Sequence, residues 1–178
     1  QVESGGRSFA GGRMVIRFEA HIFERELDDP GLFAAHFRYD AGVPWREQFW
    51  RRWQGEPWTG IHTGSQDSEW DAFEFARQLD EAAAMRSISM GAPQIMGFNH
   101  ARIGYPTVQA MFAEFGDSAF HQWAGLVNFI LGSPELADAL RRRDWREVAR
   151  LYNGPGQVDA VSAQLADAYA LMRGETKT

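Results

Sequence analysis

The feature that most constrains this chain is a train of helix start and stop signals along its second half. Ser68 with Asp71 three residues on, Pro106 with Thr107, Ser118, Ser133-Pro134, and Asp144 with Glu147 all read as helix beginnings. Gly132 and Asn153-Gly154 read as ends. Between them the apolar residues recur at helical spacing: Trp70, Phe73, Leu79 and Ala83 in the first segment, then Trp123, Val127 and Ile130. The segments expected to be helical are one from Ser68, Thr107 to Phe115, one capped by Ser118, one from Ser133-Pro134, one from Asp144 to Asn153, and Asp159 to Met172.

The first half reads differently. Residues 4–13 are glycine-rich and polar, a loop. "MVIRFE" alternates, with Met14, Ile16 and Phe18 on one face of a strand and Arg17 and Glu19 on the other. "AHIFEREL" fits a helix. Four tryptophans fall between residues 40 and 67, and Trp45, Phe49 and Trp53 match a short helix at i, i+4 spacing. The class is mainly α (α+β), with one small sheet near the N-terminus. One domain over residues 1–173 and a frayed tail at 174–178 account for the 178 residues.

The formal charge of −6 argues against nucleic acid as a partner. With no cysteine there is no disulfide or thiolate chemistry. No apolar run approaches the ~18 residues of a membrane span, so no membrane insertion is expected, and no secretory leader is visible. The five histidines lack paired ligand spacing, so neither a metal nor any other cofactor is expected.

Three stretches carry polar groups where glycine or proline breaks the regular structure. They are "VESGGRSF" with Glu3, "SMGAPQIMGFNH" with Gln94, Met96 and Asn99, and "RLYNGPG" with Tyr152 and Asn153. Each has a plain structural use: a solvated turn, a hydrogen-bonded core brace, a helix end with its cap. Glu19 could simply pair with Arg17.

Taken in order, an acid before Ser, a segment ending Gln-Ile-Met, and a Tyr-Asn before glycine resemble the lysozyme superfamily, with its goose-type lysozymes and lytic transglycosylases. "VESGGRSF", "GRMVIRFEAHIF", "APQIMGFNH", "DWREVARLYNGPG" and "LADAYA" are similar to the N-acetylmuramidase domain of modular phage endolysins, over about residues 2–171. This chain has Met90, Ala92 and Pro93 where the family's usual form is "SWGLFQIM".

The resemblance implies a lysozyme-like fold, with the helices bundled around a substrate groove. It implies a glycoside hydrolase that cleaves the β-1,4 bond between N-acetylmuramic acid and N-acetylglucosamine in bacterial peptidoglycan. Glu3 would be the general acid, at the end of a helix whose upstream part precedes this sequence. Glu19 would be the second carboxylate, with Gln94, Met96, Asn99, Tyr152 and Asn153 lining the groove. A lytic transglycosylase, which closes an anhydro ring instead of admitting water, and a wall-binding module without turnover are the alternatives. The resemblance also implies a monomer, a separate wall-binding domain elsewhere in the protein, and synthesis in the host cytoplasm before action on the wall.

Overall fold

The computed structural model describes residues 5–174. They group into two compact units, divided between Leu126 and Val127 within one helix.

The first unit opens with a hairpin, β1 (Phe9–Ala10) and β2 (Arg13–Met14), where a loop was expected. Its two-residue turn is Gly11-Gly12, with φ of 57° and 78°. Positive φ at both central positions gives the turn a twist that matches its strands, and glycine adopts it without strain. After Val15, β3 (Ile16–Phe18) begins, and Glu19 leaves the strand as the N-cap residue of α1 (Ala20–Leu27). The expected continuous strand is thus broken twice, and Glu19 sits at a strand–helix junction. Phe18 and Phe23 are buried against Phe37, with ring centroids 5.2–5.7 Å apart.

Antiparallel pairing extends well beyond one N-terminal sheet. α2 (Pro30–His36) leads into β4 (Phe37–Tyr39), which pairs with β5 (Gln48–Trp50), which pairs with β6 (Thr59–Gly60). The helix expected at Trp45, Phe49 and Trp53 is therefore absent. Along β5, Gln48 and Trp50 turn inward while Phe49 turns away, the two-residue period of a strand. Trp45 and Trp53 are half exposed or more.

α3 (Gln66–Leu79) starts at Ser65, whose hydroxyl accepts from the Asp67 N–H, three residues before the expected cap. Trp70, Ala72, Phe73 and Ala76 face the core. Asp80 ends α3 and caps α4 (Glu81–Arg86), so Ala83 belongs to this second helix. β7 (Ile88–Met90) and β8 (Ile95–Met96) follow, giving a sheet of order β3-β7-β8. α5 (Val108–Asp117) is capped by Thr107, and α6 (Ala119–Leu131) begins after Ser118, both as expected.

The second unit holds the rest: α7 (Pro134–Arg142) capped by Ser133, α8 (Trp145–Asn153) capped by Asp144, and α9 (Val158–Met172). Leu136, Ala139, Val148 and Ala149 form its buried side. Arg141, Arg142 and Arg143 are exposed at the end of α7, where the helix dipole favours positive charge.

Candidate active site

Among the described residues, strand β3 has a sheet partner on one edge only. Its other edge is satisfied by side chains far away in sequence. The Gln66 amide mimics a strand neighbour, accepting from the Ile16 N–H and donating to the Ile16 carbonyl, both at 2.9 Å. Glu69 Oε2 accepts from the Phe18 N–H at 2.8 Å. Next, the Glu19 N–H donates to the Ser87 carbonyl at 2.9 Å and the Ala20 N–H to Gln48 Oε1 at 2.5 Å. Three successive amides at the junction are thus each held by a different part of the first unit.

The Glu19 carboxylate is held as firmly as its backbone. Oε1 accepts from Arg17 Nε at 2.6 Å, and Oε2 accepts from Gln48 Nε2 at 2.8 Å. Arg17 and Glu19 lie two residues apart and so emerge on one face, as the alternation predicts. Arg17 also reaches the Trp45 carbonyl, at 2.7 Å. The Glu19 side chain keeps 12% of its surface exposed. It is an acceptor at both oxygens, on the edge of solvent. That suits a group that activates water or faces a developing positive charge, and not a proton donor.

His21 Nδ1 lies 3.4 Å from Glu19 Oε2. Burial pulls the His21 pKa below its usual value; Glu19 opposes this, while Arg25, Arg17 and His62 add to it. The imidazole beside the carboxylate is therefore neutral at pH 7. Behind it, Tyr39 donates to Glu24 at 2.5 Å, and this bond raises the pKa of the phenol.

A second, more deeply buried carboxylate belongs to Glu69. Its other oxygen lies 2.8 Å from His62 Nδ1, and His62 Nε2 is buried with no hydrogen-bond partner among the described residues. Gln48 and Glu69, the two groups that fix the Glu19 junction, were not found by sequence reading. Neither sits in a motif, and their partners are 28–51 residues away.

Of the groove residues expected from sequence, Gln94 and Met96 share the face of Arg17. Arg17 pairs with Ser89, and Ser89 with Met96, so the three form one row across the sheet. At ~4.8 Å per strand, Met96 is ~10 Å from the β3 backbone. Gln94 occupies the β7–β8 turn with φ of 52°. Its amide oxygen accepts from Ser89 Oγ and its Nε2 donates to the Gly91 carbonyl, both at 2.8 Å. Gln94 therefore closes its own hairpin, the bracing use of such a residue. Asn99 follows in the 3-10 turn Gly97–Asn99, half-buried, next to Phe98, whose ring lies under the Arg25 guanidinium.

Tyr152 and Asn153 end α8 in the second unit. Tyr152 meets Phe129 edge-on, with centroids 5.5 Å apart, and burial pushes its hydroxyl up to about 12. Asn153 is exposed, and Gly154, with φ of 84°, is the cap residue instead. Glu3 lies outside the described residues. Among the described residues, no group of three or more His, Asp or Glu side chains could hold a metal ion, and no helix is long and apolar enough to cross a membrane.

The nine helices and small antiparallel sheets among the described residues make this a mainly helical, lysozyme-like fold. Residues 1–173 match the family model described as Muramidase, N-acetylmuramidase, and the chain belongs to that family. Among solved structures it is similar to the Burkholderia AP3 phage endolysin, with 29% sequence identity and a TM-score of 0.71. That match covers 98% of this chain and 62% of the endolysin. No curated protein matches the chain significantly.

Proposed function

We propose that this chain is the catalytic part of a phage endolysin, a peptidoglycan hydrolase that cuts the β-1,4 bond between N-acetylmuramic acid and N-acetylglucosamine. The observation that carries the reading is the Glu19 carboxylate, held by Arg17 and Gln48 at a junction where three successive amides are fixed. A glycosidic oxygen leaves only when protonated, and Glu3 is the proton donor in this reading. Glu19, across the sugar, activates the water, with inversion at the anomeric carbon if the two carboxyls stand ~6.5–9.5 Å apart. Gln94, Met96 and Asn99 in the first unit, Gln94 through the hairpin it closes, and Tyr152 and Asn153 in the second are the substrate-binding residues of this reading. The catalytic domain spans residues 1–173, acts as a monomer, and works beside a wall-binding domain in the complete protein. It is made in the host cytoplasm and reaches the wall when the host membrane opens.

The test is clearing of purified peptidoglycan by Glu3→Gln and Glu19→Gln beside the unaltered protein. General acid–base catalysis is worth ~10²–10⁴-fold, and each variant should lose at least that much while keeping its fold and its binding to wall fragments. Added azide should partly rescue Glu19→Gln by standing in for the activated water. A tenth or more of normal clearing in either variant would remove that residue from its role.

One observation favours a second reading. The 2.6 Å Arg17–Glu19 ion pair is what a purely structural partner would also make. Glu19 would then be dispensable for bond cleavage, and the enzyme would be a lytic transglycosylase leaving anhydro-muramyl ends.

A further inference from the structure

Gln48 is 2% exposed, and its amide is fully used. Oε1 accepts from the Ala20 N–H, so the orientation of the amide is fixed by the network, and Nε2 must face the other way. There it donates to Glu19 Oε2 and to the Pro44 carbonyl, both at 2.8 Å, with His21 Nδ1 at 3.3 Å as a competing acceptor. One side chain from β5 therefore grips both the carboxylate of residue 19 and the backbone of residue 20. A shift of α1 against β3 would have to break both bonds. A neutral amide suits this place. It satisfies the carboxylate oxygen without a second countercharge beside the one Arg17 already supplies.

We propose that Gln48 is a positioning residue for Glu19, locking its carboxylate and the start of α1 into one unit aimed at the substrate face. This rests on the reading of Glu19 as the catalytic carboxylate. The charged and titratable groups around the pair are Arg17 on β3, His21 and Arg25 on α1, and Glu24 with Tyr39 behind His21. The His62–Glu69 pair lies on the same edge of β3 as Gln48, and Arg46 and Glu47 directly precede Gln48. Gln48 bonds both Glu19 and the α1 backbone.

Gln48→Glu keeps the acceptor for the Ala20 N–H and the shape of the side chain, but sets one carboxylate against another. Two carboxylates at that distance must share a proton. The acidic limb of the kcat/KM profile on soluble peptidoglycan fragments should then move up by ~1 pH unit or more, with the alkaline limb unchanged. Gln48→Met, which removes the donor without adding charge, should move the acidic limb the same way but less. A role confined to packing would lower the melting temperature of both variants and leave the limbs in place. Glu19→Gln, run alongside, separates the two claims. If it stays active, the role of Glu19 falls and this proposal with it. If it is inactive while the folded Gln48 variants keep the normal acidic limb, only the role of Gln48 is overturned. Failure of both Gln48 variants to fold also overturns it, since Gln48 would then be a core brace.

Discussion

Gly91 and Gln122 offer a quantitative test of how the first unit holds its β7–β8 turn. Gly91 has φ of 68°, and a Cβ there would lie 2.2 Å from Gln122 Oε1 and 2.3 Å from its Cδ. Gln122 has no exposed surface. Its Oε1 accepts from the Ala92 N–H at 2.9 Å, and its Nε2 donates to the Phe115 carbonyl at 2.8 Å and the Ser8 carbonyl at 3.4 Å. It ties the β7–β8 turn to the end of α5 and to the start of the N-terminal hairpin. Gly91→Ala costs ~1–2 kcal/mol for the left-handed backbone. The new methyl also drives Gln122 off the Ala92 N–H, and a stranded buried group adds ~1–3 kcal/mol. The total is ~2–5 kcal/mol out of a folding stability of ~5–15 kcal/mol. For a chain of this size that lowers the melting temperature by roughly 10 °C. Gln122→Ala removes the bonds to the Ala92 N–H and the Phe115 carbonyl, for ~2–6 kcal/mol. The double variant removes the clash together with the side chain that suffers it. Its cost should fall short of the sum of the single variants by ~2 kcal/mol, read from urea unfolding of all four proteins. Additivity within ~0.5 kcal/mol would refute the contact.

Three further outcomes follow from the site. The His21 pKa lies below its unfolded value of 6.5, so the stabilisation is present above pH 6.5 and is lost as pH falls through the folded value; His21→Asn should flatten that slope in urea midpoints taken from pH 7.5 to 5, and an unchanged slope would contradict it. Glu69→Ala leaves the Phe18 N–H and His62 Nδ1 without their acceptor and should cost ~2–6 kcal/mol in the same assay, with a loss under ~1 kcal/mol as the contrary result. Gln94→Gly should be more stable than Gln94→Ala by ~1 kcal/mol, because only glycine relieves φ of 52°; equal melting temperatures would place the strain elsewhere.

The helices of the second half were legible because their signals are local. Thr107, Ser118, Ser133 and Asp144 each accept a backbone N–H two or three residues ahead, and such a cap shows in a few letters of sequence. The sheets were not, because their strands are two or three residues long, too short to show a period, and pair over long separations. Ile16 and Phe18 meet side chains 50 and 51 residues away, a relation no local pattern records. The spacing of Trp45, Phe49 and Trp53 suggested a helix, but pairing of β5 with β4 and β6 overrode it. In the candidate site, Glu19 is singled out by strand alternation and the motif series together. Gln48 was hidden among tryptophans, and its importance comes only from the bonds it makes after folding.

The products of peptidoglycan digestion report which bond is cut and how. After digestion to completion, borohydride reduction and mass spectrometry show which sugar carries the new end and whether water was added. The account predicts N-acetylmuramitol ends, each carrying the mass of one added water, and none from Glu3→Gln. Ends reduced to N-acetylglucosaminitol would contradict the bond assignment, and anhydro-muramyl ends would contradict hydrolysis with Glu19 as its base.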